Sequence, residues 1–387
     1  MPCENNLAFK GTQHYGDPTL IDELEVNLKN WFDWAFLKIG AWQEVNSSTS
    51  GIYGGSFSQL LPLDDAGYSD DQVYFGIRKD WVYETGVDYH SPTQTLSYVG
   101  YHSGYGRALV QLGQYETSYY NTGDTVNITN DEFSGNYIVY SLIDSTSFLL
   151  TDNTNASGAG GSIYGIYNPQ LPTIYVDGSE NSDCTIDYRN GKVIFDSAQS
   201  DVTVTADYSF RGVQTYISNE VSLNYEIQSN SFNPNNTSWS ESAESGEYAT
   251  DPSQRVQLPA VIIEGVAKRS SRGHMLGWGG LRKYQDVLIT VVSENAYERN
   301  LITDILADQK HKTIGLYDID VVNKQGKNPL NFDGSLNSSG LTYPDIVNNS
   351  AYLWAKAFVD DALVSEVKTN TPNLHMSKVR YRIEVIR

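Results

Sequence analysis

Leu20, Ile21, Leu24, Leu28, Trp31, Phe32, Ala35 and Phe36 recur every three or four residues, the spacing that gathers side chains on one face of a helix. Asp17 and Pro18 supply an N-cap and a first-turn proline, and Gly40 supplies a stop. The pattern predicts a helix of about six turns. From residue 47 to about residue 245 the period changes. Short Tyr, Val and Ile runs (residues 72–77, 80–87 and 201–210 among them) are punctuated by Gly, Ser, Asn and Asp roughly every ten residues, which predicts a sandwich or small barrels. The runs within residues 124–152 read as one compact small barrel. Residues 155–165 read as a glycine-rich connector, and residues 230–253 as a polar linker.

Beyond the linker, longer apolar runs return. Residues 255–270 and 284–294 predict two strands, the second nearly continuous in apolars and therefore central. Residues 295–309 predict a helix, with Asn295 and Glu298 as a capping box and Leu301, Ile302, Ile305 and Leu306 on one face, Tyr297 a turn before. Residues 313–319 predict a short strand, and after a long Asn/Gly/Ser stretch residues 353–367 and a final strand, 378–387, close the chain. In the last, Val379, Tyr381, Ile383 and Val385 alternate with polar positions, as in a half-exposed antiparallel strand. The element order predicts an α+β fold in four parts. Residues 1–45 hold a helix that packs on the C-terminal domain. Residues 46–229 form an all-β insertion of one or two subdomains, and residues 230–253 a linker. Residues 254–387 form an α/β oligomerisation domain with a mixed sheet and a helix.

Charge supports the division. The chain of 387 residues has a formal net charge of −21. Residues 1–245 carry 9 basic against 31 acidic residues, so all the net acidity lies there. A field of that sign repels phosphate, so stable nucleic-acid binding is not expected. No apolar run of membrane-spanning length occurs. Residues 1–13 lack a basic start followed by an apolar stretch, and two cysteines, Cys3 and Cys184, make no disulfide framework or zinc site. Synthesis in a reducing cytosol is expected.

The search for chemistry returns little. There is no GxxxxGK[ST] loop, HExxH or serine elbow, and the six histidines are scattered singly. Acidic doublets such as Asp64-Asp65 and Asp360-Asp361 place neighbouring carboxylates on opposite strand faces, which is not the geometry of an acid/base pair. No catalytic, cofactor-binding or metal-ligating residue is expected, and the chain is not read as an enzyme. The most unusual segment is residues 271–284, a hairpin tip with Arg272, His274, Trp278, Arg282 and Lys283, which reads as an inter-subunit or partner contact loop. Tyr119-Tyr120 and a looser group of Trp81, Tyr83, Tyr89, Tyr98, Tyr101 and Tyr105 would suit sugar stacking or cross-strand pairing. Asn190-Gly191 is a strong hairpin signal, with Asp187 and Asp196 expected as strand-end surface acids.

Residues 176–210, 255–266, 279–319 and 378–387 together resemble virion structural proteins of tailed bacteriophages. The helix at 18–39 with residues 255–387 is similar in element order to tail-terminator and related neck proteins. That resemblance implies a tail-terminator-like α/β domain carrying a large all-β insertion, and a homo-hexameric ring joining tail to head. Its neighbours would be other neck, tail-tube or sheath proteins. DNA would pass through the ring without a held complex, and the protein would be assembled in the host cytoplasm and reside in the virion. A carbohydrate-binding or adhesin-like tail or baseplate protein is the alternative.

Overall fold

The computed structural model describes residues 19–47, 55–65, 67–113, 117–152, 157–218, 227–228, 256–273, 281–367 and 374–386. The chain forms two compact units: residues 36–41 with 85–169, and the remainder.

The smaller unit is a barrel. Its strands are β1 (Gln94–His102), β2 (Arg107–Leu112), β3 (Thr125–Thr129), β4 (Gly135–Leu142), β5 (Ser147–Leu150) and β6 (Ser162–Tyr167). They pair in the order β1-β2-β5-β4-β3-β6, and β6 pairs back to β1 through Ser162–Thr95 and Ile163–Gln94, which closes the ring. Leu96, Val99, Val110, Val126, Ile128, Val139, Phe148 and Ile163 fill it. Eight strands leave an interior just wide enough for side chains, so six leave a packed core and no lumen.

The expected connector at residues 155–165 is instead a structural closure. Ser157–Ala159 pairs with β1, and residues from Ser162 onward are β6. Glycine is needed there because backbone meets backbone: a Cβ on Gly161 would collide with the Thr129 carbonyl, and one on Gly158 with the Asn130 side chain. What reads as flexibility in the sequence is close approach in the fold.

In the larger unit, two small four-stranded sheets face one another. One orders Trp42–Val45, Val204–Arg211, Thr173–Val176 and Ser179–Glu180; the other Cys184–Asp187, Lys192–Phe195, Val73–Phe75 and Leu61–Leu63. Trp81 stacks on Tyr208 between them, with ring centroids 4.0 Å apart, among Val45, Val193, Phe195 and Phe210. Ser209 receives the chain on both sides of the barrel: its carbonyl accepts the Val82 N–H (2.8 Å), its N–H donates to the Gln170 carbonyl (2.9 Å), and its hydroxyl accepts the Gln170 N–H (2.7 Å).

The C-terminal sheet contains β7 (Gln214–Ile217), β8 (Ala260–Gly273), β9 (Leu281–Ser293), β10 (Thr313–Tyr317), β11 (Leu353–Val367) and β12 (His375–Ile386). Its order is β7-β8-β9-β12-β11-β10, with β7 parallel to β8 and every other pair antiparallel. Helix α1 (Thr19–Lys38) contacts β8 and β10. Glu25 accepts the Gly265 N–H (2.5 Å), and Asn27 pairs with both backbone groups of Tyr317 (2.8 and 3.1 Å). Helix α2 (Ala296–Ala307) covers one face through Ile302, Thr303 and Leu306, and Tyr381 donates to the Leu306 carbonyl (2.5 Å). Leu301 and Tyr297, expected near that buried face, are exposed, because the contact centres on Arg299, Ile302, Thr303 and Leu306.

These sheets overturn the α+β, tail-terminator-like expectation. Strands make up 47% and helices 15% of the structure, arranged as β-barrel and half-barrel sheets. Two strongly periodic helices drew the sequence reading towards α/β, while strands of 12–15 residues and two further β layers outweigh them.

Candidate assembly interface

Arg272 of β8 sits directly opposite Arg282 of β9, and Lys283 opposite Ser271, at the far end of the β8–β9 pair. The sequence thus brings three of its five predicted contact residues to one end of one hairpin. His274 and Trp278 lie outside the described residues.

The face of the sheet away from α2 extends this charged region. Along β12, Lys378, Arg380 and Arg382 alternate with the buried Val379 and Tyr381. Asp286 of β9, itself buried, accepts a hydrogen bond from Arg380 and lies 3.7 Å from Arg382. One buried carboxylate thereby fixes two exposed guanidinium groups on this face.

The outer edge of the sheet is uneven. β10 pairs with β11 through Phe358, and His311 and Lys312 extend the contact to Val359. Beyond that point no strand among the described residues pairs with the outer side of β11. Leu363 is 58% exposed and Val364 51%, on opposite faces of the strand. Exposed apolar residues on an open edge are what a monomeric sheet protein usually avoids. Two ion pairs frame the segment: Lys310–Asp361 (2.9 Å) and Arg299–Glu366 (2.9 Å). The hydrogen bond from Lys310 holds the Asp361 carboxyl below its ordinary range. At the opposite end of the sheet, among the described residues, β7 pairs with β8 through Ile263, and Glu25 accepts the Gly265 N–H.

The other sequence candidates are structural or divided. Trp81 and Tyr120 are buried in separate cores. Tyr83 lies under the Arg211 guanidinium, 5.6 Å from its ring centroid. Arg211 and Glu84 form a buried ion pair at 2.5 Å, and Arg211 also donates to the Asp33 carbonyl (3.1 Å). Burial opposes the Arg211 charge, but Glu84 and Asp33 outweigh it and raise its pKa. On the barrel, Tyr105 and Tyr140 are exposed, and Arg107 stacks 3.6 Å from the Tyr140 ring centroid. Among the described residues no group of three or more His, Cys, Asp or Glu could hold a metal ion, and no helix is long and apolar enough to cross a membrane.

Asp187 is not the surface acid expected. It is 6% exposed; its carboxylate accepts the Asn190 N–H (3.1 Å) and side-chain amide (2.6 Å) and packs on Gly334. The hairpin loop spans four residues between the paired Asp187 and Lys192, with Gly191 at φ +66°, so Asp187 is its internal brace. Asp196 is exposed.

No family model matches the chain, and no curated protein matches it. Among solved structures, the chain is similar to the Phage phi92 endosialidase at 12% identity, over 80% of this chain and 53% of that one, with a TM-score of 0.18. The chain spans about half that protein's length, and a TM-score so low defines no common fold.

Proposed function

We propose that this chain is a structural component of a tailed-phage virion, placed in the tail or neck and working by assembly rather than turnover. The observation that carries this reading is the outer side of β11 past Val359, with which no strand among the described residues pairs and where Leu363 and Val364 are exposed. Such an edge is satisfied by another chain. The resemblance of the sequence segments to phage virion proteins supplies the setting. In its most specific form the reading is a homo-hexameric ring at the junction of tail and head, contacting neck, tail-tube or sheath proteins, assembled in the host cytoplasm and passing DNA without retaining it. Sedimentation and electron microscopy of the purified protein test the assembly, and antibody labelling of particles tests the position. Protein that stays monomeric at high concentration and is missing from virions refutes it.

An adhesin-like role is the second reading, favoured by one observation. Residues 85–169 contain a single Lys or Arg, Arg107, and it lies stacked on the exposed ring of Tyr140. With a packed barrel interior, a glycan would bind this outer wall. Retention on host surface polysaccharide that disappears in Tyr140→Ala would support it, and no retention by the intact protein would remove it.

A further inference from the structure

We propose that the outer wall of the barrel binds a glycan whose sugars carry carboxylates, through a row formed by Tyr105, His102, Arg107 and Tyr140. The inference rests on the adhesin-like reading above and names the ligand class of that site.

Three observations carry it. First, the row is continuous and faces outward. Ala108, Val110 and Leu112 belong to the barrel core, so Arg107 on the alternate side of β2 points away from it. His102 of β1 is the direct cross-strand partner of Arg107, and its ring stands 4.9 Å from the Tyr105 ring, centroid to centroid. On the other side the Arg107 guanidinium lies 3.6 Å from the Tyr140 ring centroid. Tyr105 is 50% exposed, Tyr140 45%, and His102 is exposed as well. From β1 through β2 and β5 to β4 the row crosses three strand spacings, ~14 Å at ~4.8 Å each, a length suited to a chain of sugars rather than a small ion.

Second, the central pair is fixed in place by the fold. The register of β4 against β5 shifts between Val139 and Ser141, so Tyr140 sits on a bulge, the device by which a strand re-aims one side chain. Arg107 is held at two points, over the Tyr140 ring and through Nη1, which donates to the Thr151 carbonyl (2.9 Å).

Third, that anchoring leaves Nε and Nη2 with no hydrogen-bond partner among the described residues. These two N–H groups share one side of the guanidinium and are the pair that grips a carboxylate with two parallel bonds. Residues 85–169 hold seven acidic residues against this one base, yet no carboxylate among the described residues pairs with it. Asp88 is engaged by Lys38 and His90, and Asp124, Asp131, Glu132 and Asp144 lie between strands. The acidic surroundings disfavour an indiscriminate polyanion, so the contact is with a carboxylate seated at Arg107. The rings select sugar over peptide: the C–H faces of a sugar ring are slightly positive and lie on the negative face of an aromatic ring.

The test applies the full chain to an array of carboxylated oligosaccharides, each printed beside its carboxyl-reduced, neutral form. The protein is expected to bind a carboxylated glycan and to lose roughly tenfold to a hundredfold in affinity when the carboxyls are reduced, the worth of hydrogen bonds to a charged group. Arg107→Gln should bind both forms alike, at the level the parent shows for the neutral one. Tyr105→Ala and Tyr140→Ala should weaken both forms, and Gln111→Ala, on the same strand outside the row, should bind like the parent. If Arg107→Gln does not fold, Arg107→Lys, which keeps the charge and loses the fork, should weaken the carboxylated form alone. An Arg107 variant that folds and keeps the full preference for carboxylated glycan overturns the site. Binding of neutral glycans only, abolished by Tyr140→Ala, overturns the carboxylate and leaves the adhesin-like reading standing. Poly-glutamate bound as tightly as any glycan overturns the choice of sugar. No glycan bound by the intact protein overturns both the inference and the reading beneath it.

Discussion

Replacing Gly191 with valine should be among the most damaging single changes in the larger unit. Gly191 sits at φ +66°, which costs a side chain about 1–2 kcal/mol. Its Cβ would overlap the Arg78 carbonyl and stand 3.0 Å from both the Lys79 Cα and the Trp81 Nε1. Overpacking of that kind costs about 1–3 kcal/mol. Two hydrogen bonds run through the same point, from Gly76 N to Gly191 O (2.9 Å) and from Trp81 Nε1 to Arg78 O (2.7 Å), at ~1 kcal/mol each if broken. Because relieving the collision partly trades against those bonds, the expected loss is ~3–5 kcal/mol. Urea denaturation followed by tryptophan fluorescence reads it, since Trp81 lies at the contact. Arg189→Ala, on the exposed side of the same loop, is the control and should stay within ~0.5 kcal/mol. A Gly191→Val protein within ~1 kcal/mol of the parent would refute the argument.

Asp187→Ala should cost ~1–3 kcal/mol, because two Asn190 donors lose their buried acceptor; an unchanged denaturation midpoint contradicts this. Arg211→Met should cost ~3–5 kcal/mol by leaving Glu84 buried and unpaired, and adding Glu84→Leu should recover part of that loss in the same assay. Lys38 holds the Asp88 carboxyl at about 2, chiefly through its hydrogen bond of 2.8 Å. The folded value lies below the ~3.9 of an unfolded chain, so this stability is present above about pH 4 and lost as pH falls towards 2. Lys38→Met should flatten the acid limb of the barrel's melting profile, and an unaltered slope between pH 4 and 2 argues against the link. Burial pushes the Cys184 thiol up to about 11, so at pH 8 about 0.1% is thiolate. In a Cys3→Ser background, Cys184 should alkylate far more slowly in the native than in the unfolded protein.

Local signals were legible in the sequence wherever one element determines its own form. The alternation along β12, the helix cap at Asn295 and the hairpin near Gly191 all stand where period and turn chemistry put them. The Asp177-Gly178 turn, both residues at positive φ between the paired Val176 and Ser179, carried a signal as strong as Asn190-Gly191 and could have been read the same way. Features that depend on distant partners were not legible. Closure of the barrel needs Ser162 beside Thr95, and nothing local to either residue encodes that meeting. The burial of Asp187 depends on Gly334, nearly 150 residues away. For the candidate interface, the apolar residues of β11 could be read, but how far β10 pairs along β11 depends on where two distant strands meet.

The double attachment at Ser209 bears on how the chain finds its fold. Val82 and Gln170 must reach the same residue, yet 85 residues, 85–169, run between the barrel's entry and exit. Closing a disordered loop of that length rather than one of about five residues costs roughly 2–3 kcal/mol more. The barrel's contacts lie within its own contiguous stretch apart from the short segment 36–41, so it can form first and bring its two ends into register. Folded early, it turns a long and improbable encounter into a short one, and serves the larger unit as a covalent clamp on its chain entropy.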